Sequence, residues 1–188
     1  MNRKEASKQS VEAKGRFFAE TSFASGQAIR ANSIDRSPAL IRLEAAMPDL
    51  PATMTAIAIS RPGGPEVLVP EERPVPRPGD NEILIRVAAA GVNRPDVLQR
   101  AGAYPPPKDA SDLPGLEVAG EVVAIGPKVT RWKVGDKVTA LTPGGGYAPF
   151  AVTDAGHALP IPAGLDMVQA AAIPETFFTV WHLSLIHI

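Results

Sequence analysis

Residues 115–129 read Gly115-Leu-Glu-Val-Ala-Gly-Glu-Val-Val-Ala-Ile-Gly-Pro-Lys-Val129, with the spacing G-x-E-x-x-G-x5-G-x-x-V. The apolar run within this stretch predicts a strand over residues 117–125. Glycines spaced through an apolar strand mark places where the backbone bends sharply or is approached closely by another segment. Glu117 opens the strand, and its carboxylate must find a hydrogen-bonding partner if the strand is buried.

Short strands and turns surround this stretch. The pattern predicts further strands over residues 55–60, 66–69, 82–91, 137–141 and 147–153. Residues 62–65, Pro-Gly-Gly-Pro, predict the tight turn of a hairpin, because glycine supplies a positive φ and proline cannot continue a ladder. Many short strands at a spacing of roughly 8 to 12 residues favour a mainly β fold, either a barrel or a sandwich.

Two segments favour short helices. Residues 95–101 suit one or two helical turns, with Pro95 near the first helical position, where its missing N–H costs nothing. From Leu165 the pattern is helical again, with Asp166 as the expected N-cap, until Pro174 interrupts it.

Composition and charge exclude several classes of partner. The 188 residues are 45% hydrophobic and 21% charged, with a formal net charge of −1 and no Lys/Arg-rich stretch, whereas binding to nucleic acid or anionic membranes depends on clustered positive charge. No apolar stretch approaches the roughly 20 residues that a membrane-spanning helix requires. Cysteine is absent, which removes disulfides, thiolate nucleophiles and sulfur-based zinc sites. We therefore expect a cytoplasmic protein that acts on a small, mostly uncharged molecule.

The chain changes character near residue 54. Residues 1–53 lack periodic apolar positions and fit neither a secretory leader nor an organellar transit peptide. Such a segment cannot offset the entropy cost of ordering, so we expect a disordered and dispensable N-terminal extension. Residues 54–175 are expected to form the folded domain.

Several co-linear motifs resemble one protein family. The stretch over 115–129 resembles the signature of the medium-chain dehydrogenase/reductase superfamily, whose first domain is a chaperonin-10-like (GroES-like) β-barrel and whose second is a Rossmann domain. Five other segments resemble the quinone oxidoreductase subgroup, namely residues 62–68, 89–96, 132–138, 143–148 and 169–175. The resemblance covers about residues 54–182 and implies a mainly β, GroES-like, partly open barrel with short helices.

The resemblance also implies how the end of the chain is organised. Residues 176–188 are expected to begin the helix that links the two domains and to finish in an atypical tail, before any Rossmann domain. Dinucleotides bind mainly through a pyrophosphate seated on a helix N-terminus of the Rossmann domain. We therefore expect the 188-residue chain alone to be inactive and to bind nicotinamide cofactor weakly.

Chemistry without a metal follows from the same comparison. Zinc alcohol dehydrogenases carry a histidine ligand immediately before the glutamate of the signature, and here that position is Leu116. The three histidines, His157, His182 and His187, do not lie at ligand spacing. The expected cofactor is NADPH or NADH with no metal, the expected substrate is a quinone or enone, and the parent protein is expected to be a homo-oligomer.

Three residues are candidates for the site. Resemblance to the subgroup puts Asn93 and Tyr104 at the nicotinamide end of the cleft, as catalytic and cofactor-binding residues, and Thr179 near the cofactor from the linking helix. Each can donate or accept a hydrogen bond, which is what an activated acceptor requires.

The residues themselves leave plainer interpretations open. Asn93 also suits a turn, Tyr104 a surface position beside three prolines, and Thr179 an ordinary helix position. Glu117 is interpreted as a hydrogen-bonding structural residue rather than as a base. Pro149 departs from the subgroup, which usually has glutamate there, and predicts a strand edge or a bulge.

Three functions remain open at this point. The first is reduction of a quinone or another activated double bond. The second is a non-enzymatic binding or structural role of the same fold. For that role, the lack of a basic patch argues against nucleic acid as the partner. The third is a fragment with no activity of its own.

Overall fold

The computed structural model describes residues 50–185 of the chain. The strands are β1 (Thr53–Ile59), β2 (Leu68–Pro74), β3 (Glu82–Ala90), β4 (Glu117–Ile125), β5 (Lys137–Leu141), β6 (Phe150–Asp154) and β7 (Ala158–Pro160). The helices are α1 (Arg94–Arg100), α2 (Met167–Ala171) and α3 (Pro174–Leu185), with 3₁₀ turns at Pro65–Val67 and Ala155–His157. Across this range no helix is long and apolar enough to cross a membrane.

A two-stranded hairpin opens the fold. β1 and β2 pair antiparallel, with Ile59 opposite Leu68 at the closed end and Thr53 opposite Pro74 at the open end. The predicted hairpin is therefore confirmed. The reason given for its turn is wrong, because neither Gly63 nor Gly64 adopts a positive φ. A 3₁₀ turn closes the hairpin instead.

A five-stranded antiparallel sheet forms the body of the domain. Its strand order is β6-β3-β4-β5-β7, so the signature strand β4 lies at the centre. The bounds of β4 and β5 are those predicted, whereas the strand predicted over 147–153 begins later, at Phe150, and β7 was missed because it has only three residues. Pro149 precedes the edge strand β6, and its carbonyl accepts a hydrogen bond from the Val87 N–H at 2.9 Å. The predicted strand edge is confirmed.

The core lies on both faces of this sheet. One cluster packs the hairpin against the sheet through Met54, Ala56, Ala58, Leu84, Val123, Ala124, Phe150 and others. The second lies on the other face and contains Ile83, Ile85, Val118, Val122, Trp132, Val138, Ala140 and Ala158. Successive residues of β3 thus face opposite clusters, with Leu84 in the first and Ile83 and Ile85 in the second. The two sheets do not close into a barrel, in agreement with the partly open barrel that was expected.

The helices begin where the sequence predicts. Asp166 caps α2, since its carboxylate accepts from the Gln169 N–H at 2.8 Å while the Gln169 side chain accepts from the Asp166 N–H at 3.1 Å. Pro174 separates α2 from α3 and occupies the first turn of α3. The division predicted between residues 175 and 176 therefore falls inside α3.

The predicted N-terminal extension lies largely outside the described residues. Leu50 packs against the hairpin side of the core, and β1 begins at Thr53. Leu50 and Thr53, which the prediction assigned to the extension, therefore belong to the folded domain.

We expect Gly120→Ala to destabilise the fold strongly. A Cβ at this position would lie 2.1 Å from the backbone oxygen of Arg86 and 2.8 Å from Cγ2 of Ile85 on the neighbouring strand. Overpacking of this kind costs roughly 1–3 kcal/mol, and the upper end applies because backbone cannot move aside. Urea unfolding followed by tryptophan fluorescence measures the loss.

Gly79→Ala is the matched control. Its added Cβ would meet only the flexible carboxylate of Glu82, at 3.0 Å. We expect a change within about 0.5 kcal/mol. Equal stabilities of the two variants would contradict the close approach of β3 and β4 at Gly120.

Candidate active site

A buried carboxylate joins three elements of the fold. Glu117 opens β4 and is only 2% exposed. One of its oxygens accepts from the side-chain amide of Asn93 at 2.8 Å, and the other accepts from the backbone N–H of Glu175 at 2.9 Å. The prediction that Glu117 is a hydrogen-bonding residue is confirmed. Its two bonds fix the Asn93 amide, which lies just before α1, relative to the start of α3.

The backbone just before Asn93 must pass very close to this carboxylate. A Cβ at Gly91 would lie 1.9 Å from Oε1 of Glu117. Only glycine fits there without displacing the acid. The Gly91 N–H also donates to the Glu117 carbonyl at 3.2 Å. Glycine at 91 is thus what lets Asn93 reach Glu117.

A second buried carboxylate holds the same loop from the other side. Asp96 lies in the first turn of α1 and is 5% exposed. Its Oδ1 accepts from the Gly115 N–H at 2.9 Å, while Oδ2 accepts from the Asn93 N–H at 2.8 Å and from the Tyr147 hydroxyl at 3.1 Å. Asp96 therefore ties the Asn93 backbone to the segment that leads into β4.

Burial and negative charge set the protonation of the neighbouring groups. Burial, then the charge of Asp96 and its hydrogen bond, then Glu117, raise the pKa of the Tyr147 hydroxyl, so it stays protonated and donates to Asp96. Burial, followed by the charges of Glu117 and Asp96, raises the pKa of the Glu175 carboxyl. The carboxylates of Glu117 and Asp96 repel a negative charge on Glu175. This repulsion favours the neutral form of Glu175, which is the most exposed of the three acids.

A cleft of about 210 Å³ lies beside this network. Tyr104, which is 46% exposed, and Glu175 both line this cleft. We call it the Tyr104 cleft; it is lined by Gln99, Tyr104, Pro106, Pro107, Ser111, Leu116, Leu141, Thr142, Pro143, Gly144 and Glu175. Leu116 therefore presents an apolar side chain to the cleft, with no atom that binds a metal.

The three predicted site residues lie in different surroundings. Asn93 is not among the lining residues and connects to the cleft through Glu117 and Glu175. Thr179 lies one turn after Glu175 in α3, donates its hydroxyl hydrogen to the Glu175 carbonyl at 2.6 Å, and lines a separate groove. Leu141 lines both that groove and the Tyr104 cleft. The structure thus brings the predicted residues around one region without direct contact among them.

Three members of the network were missed from the sequence. Asp96 follows Asn93 by three residues, a spacing typical of a reciprocal cap, and this signal could have found it. Glu175 follows Pro174 at a helix start, where acids are favoured. Tyr147 lies 51 residues from Asp96, and nothing local connects the two.

The acids of this region do not form a metal-binding cluster within residues 50–185. Over residues 50–185, no group of three or more His, Cys, Asp or Glu side chains is arranged to hold a metal ion. Glu117 and Asp96 accept hydrogen bonds from N–H and O–H donors with their side-chain oxygens instead. The residues of this region do not fit a protein-bound metal.

We expect Glu117→Ala to destabilise the protein by about 1–3 kcal/mol. The substitution leaves the Asn93 amide and the Glu175 N–H without their acceptor, and a buried unsatisfied donor costs this much. Chemical unfolding measures the effect. Glu121→Ala, a half-buried acid of the same strand, is the control and should change stability little. A Glu117 variant as stable as that control would show that the two bonds contribute nothing.

We expect Glu175→Gln to stabilise the protein at about pH 7. Because the folded-state pKa of Glu175 is raised, the neutral carboxyl is favoured on folding. That contribution is present below the unfolded pKa of about 4.3 and is lost as the pH rises through the folded value. The glutamine variant escapes this loss.

Thermal unfolding across the acid-to-neutral range tests the sign. The advantage of Glu175→Gln over the unsubstituted chain should shrink as the pH is lowered toward about 4, where the carboxyl is neutral in both states. Glu121→Gln is the matched control. A glutamine variant less stable than the unsubstituted chain at neutral pH would contradict the repulsion described above.

The chain is similar to known oxidoreductases in sequence and in fold. Residues 79–163 match the alcohol dehydrogenase GroES-like domain family. The quinone oxidoreductase of Lama guanicoe is 40% identical over 136 residues, which are 71% of this chain and 41% of that relative. The chain thus spans about two fifths of the length of such relatives.

Two solved structures agree with this assignment. The quinone oxidoreductase of Pseudomonas syringae pv. Tomato DC3000 has a TM-score of 0.62 and 37% identity, covering 69% of this chain and 40% of that one. The CurK enoyl reductase has a TM-score of 0.62 and 29% identity, covering 70% of this chain and 42% of that one. The chain therefore contains an alcohol dehydrogenase GroES-like domain and is similar to quinone oxidoreductases of the medium-chain dehydrogenase/reductase superfamily.

Proposed function

We propose that this chain is the N-terminal, catalytic-domain part of an NAD(P)H-dependent quinone oxidoreductase that works without zinc. The observation that carries the proposal is the pairing of Asn93 with Glu117 behind a cleft lined by Tyr104 and Leu116. A hydrogen-bonding phenol and an apolar residue at the metal-ligand position are what a metal-free reductase needs there.

The chemistry requires little from the protein. A bound nicotinamide supplies the hydride. A quinone already withdraws charge through its carbonyl groups, so the protein need only orient the acceptor and hydrogen-bond the oxygen on which negative charge develops. Tyr104 can donate to that oxygen, and Leu116 and Leu141 keep water from the reacting face. Thr179, on α3, is proposed to lie beside the cofactor.

The described residues lack the structural unit that seats the pyrophosphate of a dinucleotide. Their strands pair antiparallel throughout residues 50–185, so this part has no parallel strand followed by a glycine-rich turn and a helix. That unit is what seats a pyrophosphate. We therefore propose that the dinucleotide is held by a further domain. We also propose that NADPH or NADH is the hydride donor and that the working protein is a cytoplasmic homo-oligomer.

Activated alkenes are the second candidate substrates. The similarity to the CurK enoyl reductase supports this class, since a conjugated carbonyl also accepts hydride without a metal. Comparing a quinone with an enoyl thioester as the acceptor separates the two substrate classes.

A chimera tests the proposal. Residues 50–185 of this chain replace the matching segment of the Pseudomonas syringae quinone oxidoreductase, and quinone-dependent NADPH oxidation is measured with and without a chelator. We expect activity that the chelator does not reduce. Asn93→Ala or Tyr104→Phe should lower kcat/KM by more than about tenfold, as loss of an oriented hydrogen-bond donor does.

The controls separate chemistry from folding. Asn81→Ala removes the same side chain at an exposed position outside the Tyr104 cleft and should keep the activity. The 188-residue chain alone should oxidise NADPH far more slowly than the chimera. A folded chimera without quinone or enoyl reduction would overturn the proposal, and parental rates in both site variants would overturn the assignment of Asn93 and Tyr104.

A further inference from the structure

One ionisable side chain of the Tyr104 cleft makes no hydrogen bond in the network around Glu117 and Asp96. Glu175 is the only carboxylic acid among the residues that line the cleft, and Tyr104 is the only other side chain there that can release a proton. Glu175 is the second residue of α3, and its side chain is partly exposed. Its backbone N–H is bonded to Glu117, which fixes the position of the residue beside the cleft.

The other two acids are fully committed to accepting hydrogen bonds. Both oxygens of Glu117 are used, by Asn93 and by the Glu175 N–H. Both oxygens of Asp96 are used as well. Protonating either acid would break one of these bonds. Within residues 50–185 the Glu175 carboxyl has neither a hydrogen-bonding side chain nor an ion-pair partner, so it is available for proton exchange.

The groups that face Glu175 disfavour its charge. Glu117 approaches it from β4 and Asp96 from α1, while Tyr147, which is bonded to Asp96, is a neutral phenol. In the described part of the chain, no Lys or Arg side chain forms an ion pair with Glu117, Asp96 or Glu175. The pKa of Glu175 is accordingly raised, first by burial and then by the two carboxylates. A carboxyl whose pKa is raised keeps its proton to a higher pH, which suits it to act as a general acid.

We propose that Glu175 is the proton donor of the reductase, an inference that rests on the proposed function. The hydride with its electron pair adds to the quinone and oxidises NAD(P)H to NAD(P)⁺, and the π electrons of the acceptor move onto an oxygen. That oxygen takes the proton of Glu175 as the carboxyl O–H bond breaks, which completes the hydroquinone. The Glu175 carboxylate regains a proton from water, which its partial exposure allows.

Kinetics of the chimera test the assignment. Glu175→Gln should lower kcat by about 100-fold or more, the size of a general-acid contribution, with KM for the quinone little changed. In the parent chimera, kcat should fall as the pH rises through the Glu175 pKa, and this fall should disappear in the variant. Acetate or formate in the buffer should restore part of the rate of Glu175→Ala. Glu121→Gln is the control and should behave as the parent.

A measurement without turnover gives an independent readout. In the 188-residue chain with ¹³C-labelled glutamate, the Glu175 carboxyl, assigned by its loss in Glu175→Gln, should titrate above the ordinary value of about 4.3. Titration at or below that value would overturn the proposal. So would a Glu175→Gln chimera with the parental rate and pH profile, while Asn93→Ala and Tyr104→Phe remained impaired. A parent chimera that reduced no acceptor would overturn the proposed function and this inference with it.

Discussion

The Glu117 carboxylate is removed from water at the start of β4, so the protein itself must supply its hydrogen bonds. Burying a charged carboxylate without hydrogen-bond donors costs a large free energy. The two N–H donors to Glu117 offset much of that cost. These donors come from the loop before α1 and from the first turn of α3. The geometry of both segments therefore depends on this one acid. Gly91 is glycine because the backbone passes within contact of it.

The same constraint explains why the site is acidic and yet holds no paired cation. Asp96 and Glu117 are neutralised by backbone and side-chain dipoles rather than by Lys or Arg. Dipoles at fixed positions stabilise charge without adding a flexible side chain to the cleft. The remaining acid, Glu175, lies at the N-terminal end of α3, where the helix dipole favours negative charge. Burial and its two acidic neighbours act in the opposite direction and raise the pKa of its carboxyl.

Local pattern was enough to predict most of the fold but only part of the site. β4 and β5 were bounded correctly because their apolar runs end at glycine-containing turns, and α2 begins at the capping residue that the sequence indicates. β7 is too short for a periodic signal. The site required long-range contacts: Tyr147 meets Asp96 across 51 residues, and Glu175 meets Glu117 across 58. The positions of these residues along the chain do not predict that they meet in the fold.

Leu116 and Glu117 show how two adjacent residues divide the work of the site. Neighbouring residues at a strand point to opposite sides, so the leucine lines the cleft while the acid turns toward α1 and α3. The cleft therefore has an apolar surface at residue 116, and the buried Glu117 carboxylate lies behind it. The ionisable side chains that line the cleft are Tyr104 and Glu175. Glu117 acts on the chemistry of the cleft through the groups that it holds in place and through its charge, which helps to raise the pKa of Glu175.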